Sequence, residues 1–373
     1  MGAPVRSKPI QSLTAGRGNS CRPRSGVVSG YVLRLIREQQ GCTQEGFAER
    51  LQVSADTIAG WESGRRPLTA VPVGQMLATR HRLVQLGATP SLLHTFERAL
   101  EADVLLAGSL GSEMSVTASA LGSMVMQRDL IEILAWPLSG QPPRRIRELP
   151  EPVRPRRGPA PGGPELSHSE RGGFFANMRR TAEEARGGEQ FLLRRQALYL
   201  AGLDDQEDTG SWLAHQQRLE RPTDWLSNWL NLRSVAMVSA RHGDQEHLAH
   251  FIDTALADEA GAAANLNYWA YWIGELPLEH SDAFIADSTP PQWSGHKLLA
   301  HLADGLSIDH GYVDLNIHSV WSLLQVRPNL LRPGVTTSVL RDRLPMMLDS
   351  AGISTRGRRE LESIRYAIRL AEA

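Results

Sequence analysis

The sequence predicts an all-α protein, and three observations carry that expectation. From residue 27 onward, apolar residues recur three and four apart. Helix-starting Ser, Thr and Asp and helix-ending Gly and Pro punctuate these runs. No stretch alternates apolar and polar residues as a half-buried strand does.

Residues 1–26 stand outside the pattern. They are rich in Gly, Ser, Pro and Arg and lack apolar periodicity, the composition of a disordered arm. They carry no apolar run of the kind a secretory signal needs. Tyr31, Leu33, Leu35 and Ile36 then predict an amphipathic helix that ends at Gly41. In Thr43–Pro67, TQEGFAERLQVSADTIAGWESGRRP, Thr43 can cap a short helix whose apolar face is Phe47, Ala48 and Leu51. Gln52-Val53 breaks it. Ser54 can cap a second helix with Ile58 and Trp61 facing inward, and Gly64 ends that helix. Ala48 supplies the small residue that two steeply crossing helices need where they touch.

Two short helices in this order form a helix-turn-helix, and the second, over residues 54–63, suits the major groove of duplex DNA. Its solvent-side positions are Ala55, Asp56, Thr57, Gly60 and Ser63. Thr43 and Ser54 join the DNA-facing set at the two helix starts. Arg65 and Arg66 leave the helix on the DNA side, where they suit phosphates. The pattern TQxxFAxxLxVSxxTIxxWExGRRP resembles the Cro/cI-type, or XRE-type, helix-turn-helix regulators over about residues 30–86. That resemblance implies a five-helix DNA-binding domain. It implies Gln44 on the phosphate backbone and Ala55, Asp56, Thr57 and Gly60 facing the bases. Two positions depart from it. Gln52 stands where the turn usually has Gly, so a non-glycine residue must hold the turn, with positive φ as one solution. Gly46 sits inside a helix, at a cost on the order of 1 kcal/mol against Ala.

None of the base-facing residues is Arg, Asn or Gln, the side chains that make bidentate base contacts. Direct readout is therefore expected to be modest, with phosphate contacts and DNA shape carrying much of the rest. Asp56 has two readings: an acceptor from a cytosine amino group, or an acid favoured by the helix dipole. Trp61 reads as core. The net charge of −1 argues against a general basic coat. Yet no acid precedes Glu38, whereas Arg6, Lys8, Arg17, Arg22, Arg24, Arg34 and Arg37 do. The arm can enter a groove or track phosphates, or it is an extension without a role.

A length of 373 residues allows two or three domains. We expect the arm over residues 1–26, the helix-turn-helix domain over 27–87, linker helices with a possible dimer contact over 88–140, a linker over 141–173 and a helical effector or interaction domain over 174–373. Leu77–Leu86 completes the DNA-binding domain. Pro90–Leu106 starts with Pro and has a stripe of Leu92, Leu93, Phe96, Leu100 and Val104. A further helix is expected from about Ser115 to Trp136. Gln141–Gly173 holds eight prolines and seven arginines, which predicts an extended linker. Its Arg154, Arg156 and Arg157 either solvate it or add phosphate contacts.

Beyond Phe174 about nine helices are expected, with starts at Thr223, Asp244, Ser281, Thr289, the Pro333-Gly334 break and Ser354. The turn at 240–244 resembles tetratricopeptide-type hairpins, but no period near 34 residues supports a repeat. The module is therefore a helical-hairpin array. Trp225 and Trp229 read as core. Asn265–Glu275 places aromatics on more than one face of one helix. It is either a central helix packed on both sides, its indole N–H groups partnered, or the wall of a ligand pocket. On the second reading Asn267, Tyr268, Trp269, Tyr271, Trp272 and Glu275 line that pocket.

The sequence has no G-x-S-x-G, glycine-rich phosphate loop or H-E-x-x-H, so neither catalysis nor a cofactor is expected. His247 and His250, with His242 near, lack a convincing further metal ligand. Cys21 and Cys42 are the only cysteines, and no run of eighteen apolar residues occurs. A cytoplasmic protein without a membrane partner is expected. Only two lysines, at 8 and 297, stand among 40 basic residues, which points to a GC-rich, actinobacterial genome. The expected function is regulation of transcription by a homodimer on double-stranded DNA, with a small molecule or peptide sensed by the C-terminal half. The alternative is an interaction scaffold or antitoxin-like DNA-binding component.

Overall fold

The computed structural model describes residues 26–110, 120–152, 161–185, 190–219, 224–241, 243–276, 284–285, 293–307 and 311–372. Residues 1–25, Arg154, Arg156, Arg157, Thr223, His242, Ser281 and Thr289 lie outside them. Seventeen α-helices and no strand occur among the described residues, so the all-α expectation holds.

The first four helices are α1 (Val27–Gln39), α2 (Gln44–Leu51), α3 (Ala55–Glu62) and α4 (Val73–Gln85). Thr43 and Ser54 cap α2 and α3 as expected, accepting from the N–H groups of Gly46 and Thr57. Gln52 lies at φ 57, the left-handed region the departure from Gly made one solution. Arg82 of α4 holds the turn in place, donating to the Leu51 carbonyl and the Gln52 side chain. Ile58 and Trp61 are buried as expected. Besides Ala48, a second small residue matters. A Cβ on Gly30 of α1 would meet the Trp61 carbonyl oxygen at 2.2 Å, so only glycine lets α1 approach the end of α3 so closely.

Next comes α5 (Pro90–Leu110), which completes the five-helix unit beyond the expected boundary at residue 87. Leu92, Leu93 and Phe96 are buried in the same cluster as Val28, Phe47 and Ile58, so most of the stripe offered as a dimer contact is used within the chain. Val104 departs from that stripe and is 53% exposed. Asp103 ties α5 to α1. Its buried carboxylate accepts from the backbone N–H groups of Val28 (3.0 Å) and Ser29 (2.8 Å). The residue preceding α1, Gly26, has no side chain to cap that helix, and Asp103 does so from a distance.

The helix expected from Ser115 to Trp136 is broken. Residues 111–119 lie outside the described residues, Ala120–Gly122 is a single 3₁₀ turn, and α6 (Arg128–Ser139) starts later. Long-range contacts stabilise the break. Gln196 donates to the carbonyls of Leu121 and Met124 and accepts from the Met126 N–H. The stretch 141–173 differs from an extended linker as well. It contains α7 (Arg144–Arg147) and the first turns of α8 (His168–Glu184), the latter opened by a Ser167–Glu170 capping box. It also docks onto α1: Gln39 donates to the Pro150 carbonyl, and the Tyr31 hydroxyl donates to that of Gly162.

Ten helices then run to the C-terminus: α8, α9 (Phe191–Ala201), α10 (Thr209–Leu219), α11 (Trp225–Arg241), α12 (Glu246–Ala255), α13 (Glu259–Trp272), α14 (His296–Asp304), α15 (Val313–Val326), α16 (Val335–Asp349) and α17 (Thr355–Glu372). Asp224 meets the start of α11, accepting from the Ser227 N–H. Asp244 accepts from the Glu246 N–H at the start of α12, as expected. Two buried clusters organise the chain. One joins α1–α6 to α8, α9 and α10, and the other unites α11–α17. The change of core therefore falls near residues 213–229 rather than at residue 174. Trp229 is core, but Trp225 is 45% exposed and stacks on it, so only half of that pair reads as expected.

Candidate functional site

The exposed end of α3 is built from its cap, its first turn and the residues that follow it. Ser54 is exposed, and its hydroxyl lies 2.8 Å from that of Thr57. Asp56 is held between two guanidinium groups, Arg65 at 2.7 Å and Arg66 at 2.8 Å. The Arg65 hydrogen bond, then the charges of Arg66 and Arg65, keep the Asp56 carboxyl below the usual carboxylate range. Neither expected reading of Asp56 included this clamp. It orders both arginines on the surface beside the start of α3.

Gly60 departs from its expected place among the base-facing residues. It is buried beneath Arg66, whose side-chain carbons would lie 3.1–3.4 Å from an added Cβ. Ala59 is partly exposed in its stead, and Ser63 is exposed with its hydroxyl donating to the Ala59 carbonyl at 2.7 Å. Ala55 and Thr57 are half-buried, and Ala55 packs against the core. Thr43 is exposed, whereas Gln44 donates to Glu62 at 2.8 Å. Glu62 also pairs with Arg37 of α1 at 2.6 Å, so one carboxylate links α1, α2 and α3 behind this surface. Helical spacing alone did not reveal Ala59, because Gly60 is taken up by a residue that lies beyond the helix.

The second site is a cavity of about 280 Å³ enclosed by α6, α9, α11, α13, α14 and α15. Of the six expected pocket residues, Tyr268, Trp269 and Trp272 line it. The other three act elsewhere. Asn267 donates to the Ile285 carbonyl, Tyr271 donates to that of Val125, and Glu275 accepts from Gly295 and Leu298 at the start of α14. α13 is buried almost all round, as the packed-helix reading required. Trp269 nevertheless departs from that reading, because its buried indole N–H has no partner among the described residues. Sequence inspection missed the wall supplied by other helices: Arg195 and Tyr199 of α9, Arg233 of α11, and His301 of α14. Burial first, then the nearby Arg128, pulls the His301 imidazole down to about 4, so it is neutral near pH 7.

Among the described residues no cluster of three metal-ligating side chains occurs, and His247 instead pairs with Asp244 at 2.7 Å. No described helix is long and apolar enough to cross a membrane. Residues 33–71 match a family model described as helix-turn-helix. No curated protein and no solved structure matches the chain.

Proposed function

We propose that the protein is a regulator of the Cro/cI type that reads duplex DNA sequence-specifically, with residues 54–63 in the major groove, a reading supported by the match of residues 33–71 to a helix-turn-helix family model. The observation that supports this is the surface at the start of α3, where Ser54 and Asp56 are exposed and Arg65 and Arg66 flank them. Short side chains read few base edges, so the arginines position the helix through phosphates and DNA shape contributes selectivity.

The reading includes a homodimer. α4 leaves Val73, Leu77 and Val84 exposed, at helical spacings that bring them to one side. Two copies joined there can offer two α3 helices to half-sites about one helical turn apart. A gel shift with the DNA upstream of the protein's own coding sequence tests the proposal. A salt-sensitive, sequence-selective complex is expected, and its absence at moderate salt overturns it.

The reading also includes sensing of a small molecule through the cavity. Its walls come from both buried clusters, so an occupant touches the α1–α10 half and the α11–α17 half together. A ligand that favours one arrangement of these halves biases DNA affinity by its differential binding. A second reading, docking of a protein partner, is favoured by Val335, Met346, Tyr366 and Leu370, all more than 60% exposed on α16 and α17. Recovery of a stoichiometric partner on the full chain, lost on Tyr366→Glu, supports it over sensing.

A further inference from the structure

The cavity between the two cores holds a cation that nothing described neutralises. Arg233 is 6% exposed and lines the cavity. Its guanidinium lies 3.8 Å from the centre of the Tyr268 ring and 5.2 Å from that of Trp269. Among the described residues no carboxylate pairs with it, and its Nε has no hydrogen-bond partner. Arg195 lines the same cavity and brings a second positive charge 5.9 Å from the Tyr268 ring. The one acid in the lining, Glu132, already pairs with Arg128 at 2.6 Å. The lining's histidine, His301, is neutral, so Arg233 is the cation of the lining that geometry leaves to a ligand.

Proteins rarely bury a charge without a partner, because desolvation is costly and nothing recovers it. The strain registers on Arg233 itself. Burial, with the neighbouring Arg195 charge adding to it, brings the guanidinium down to about 10. Two further groups in the wall lack partners among the described residues, the indole N–H of Trp269 and the Oδ1 of Asn316. Around them the surface is aromatic. Tyr268 and Trp272 lie nearly parallel at 19°, and Tyr199 meets Trp272 edge-on. The volume of about 280 Å³ lies just below the roughly 300–1,000 Å³ of small-molecule sites, which suits a small ligand.

We propose that this cavity binds a small aromatic carboxylate, its anionic end on Arg233 and its ring against Tyr268, Trp269 and Trp272. The guanidinium fork matches a carboxylate in plane, and the ring faces supply the apolar contact. Trp269 Nε1 and Asn316 Oδ1 then choose among such anions by the polar groups on their rings. This assignment deepens the sensing reading and rests on it for regulatory meaning, but binding itself is independent of DNA.

The test uses the full chain without DNA. Benzoate, indole-3-carboxylate and salicylate are titrated by thermal shift and calorimetry, beside benzamide, indole-3-carboxamide and inorganic phosphate. At least one carboxylate is expected to raise the melting temperature and bind saturably, at least tenfold tighter than its neutral amide and than phosphate. Arg233→Met is expected to abolish that binding while leaving the unliganded protein as stable as wild type or more so, since it removes a buried charge that no described carboxylate pairs. Trp269→Phe is expected to weaken binding and keep the fold. The proposal is overturned if no carboxylate binds, if amide or phosphate binds as well, or if Arg233→Met lowers stability and spares binding. Carboxylate binding that leaves DNA affinity unchanged supports the site and refutes sensing. An effector of another chemistry that shifts DNA affinity, with every carboxylate silent, refutes the assignment and leaves sensing standing.

Discussion

Replacing Arg65 and Arg66 together with Gln is the most direct probe of the DNA-facing surface. Gln keeps part of each stem, so Gly60 stays covered, and the lost ion pairs are half-exposed, so the fold should be little affected. Each phosphate contact contributes about 0.9 to the slope of log affinity against log salt. Loss of both should lower that slope by about 1.8 per subunit, or about 3.6 for a dimer. Between about 50 and 200 mM salt, a slope change of about 1.8 amounts to roughly twelvefold. The variant's defect should therefore be about twelve times larger per subunit at the lower salt. Fluorescence anisotropy with an operator fragment, titrated across that range, measures it. Asp56→Asn in the same assay frees both arginines and removes a negative charge facing the phosphates, so binding should tighten. A wild-type slope in the double variant refutes the assignment of these arginines to phosphates.

Asp103→Ala strands the buried N–H groups of Val28 and Ser29, and at about 1–3 kcal/mol for each lost partner the loss should be about 2–6 kcal/mol by urea unfolding. A loss below about 1 kcal/mol removes the remote cap from the account. Gly30→Ala drives a methyl into the Trp61 carbonyl oxygen and should cost about 1–3 kcal/mol or more while weakening DNA binding through a displaced α3. Unchanged stability and affinity would show that α1 and α3 do not meet so closely. For His301, whose folded value of about 4 lies below the unfolded 6.5, the unfolded chain binds the proton first. Stability is fully present above about pH 6.5 and should fall by about 3 kcal/mol as pH drops toward 4. His301→Gln should flatten that part of the pH–stability curve, and an unaltered curve assigns the acid sensitivity to other groups.

Local physics was legible in the sequence. Thr43 and Ser54 cap because a hydroxyl reaches an N–H three residues on, and Gly64 ends α3 at φ +70. Such signals act within one helical turn, so reading along the chain finds them. Even the strain at Gln52 was legible, because a glycine position held by another residue exposes itself. Tertiary structure decided what depends on residues far apart. Gly60 lies under Arg66 rather than facing the bases, and the stretch around Pro150 and Gly162 docks on α1 although its composition is that of a free linker. Asp103 caps a helix that begins 76 residues earlier, and Gln196 holds open a break in what helical spacing joins. The cavity belongs to this second group. Its aromatic wall lies on one helix and could be suspected, but Arg233 becomes a buried charge with no carboxylate partner among the described residues only when α11 packs against α13 and both close on α6 and α9. Periodicity assigns each residue a face of its own helix, whereas only packing decides which other face it meets and which charges are left without water.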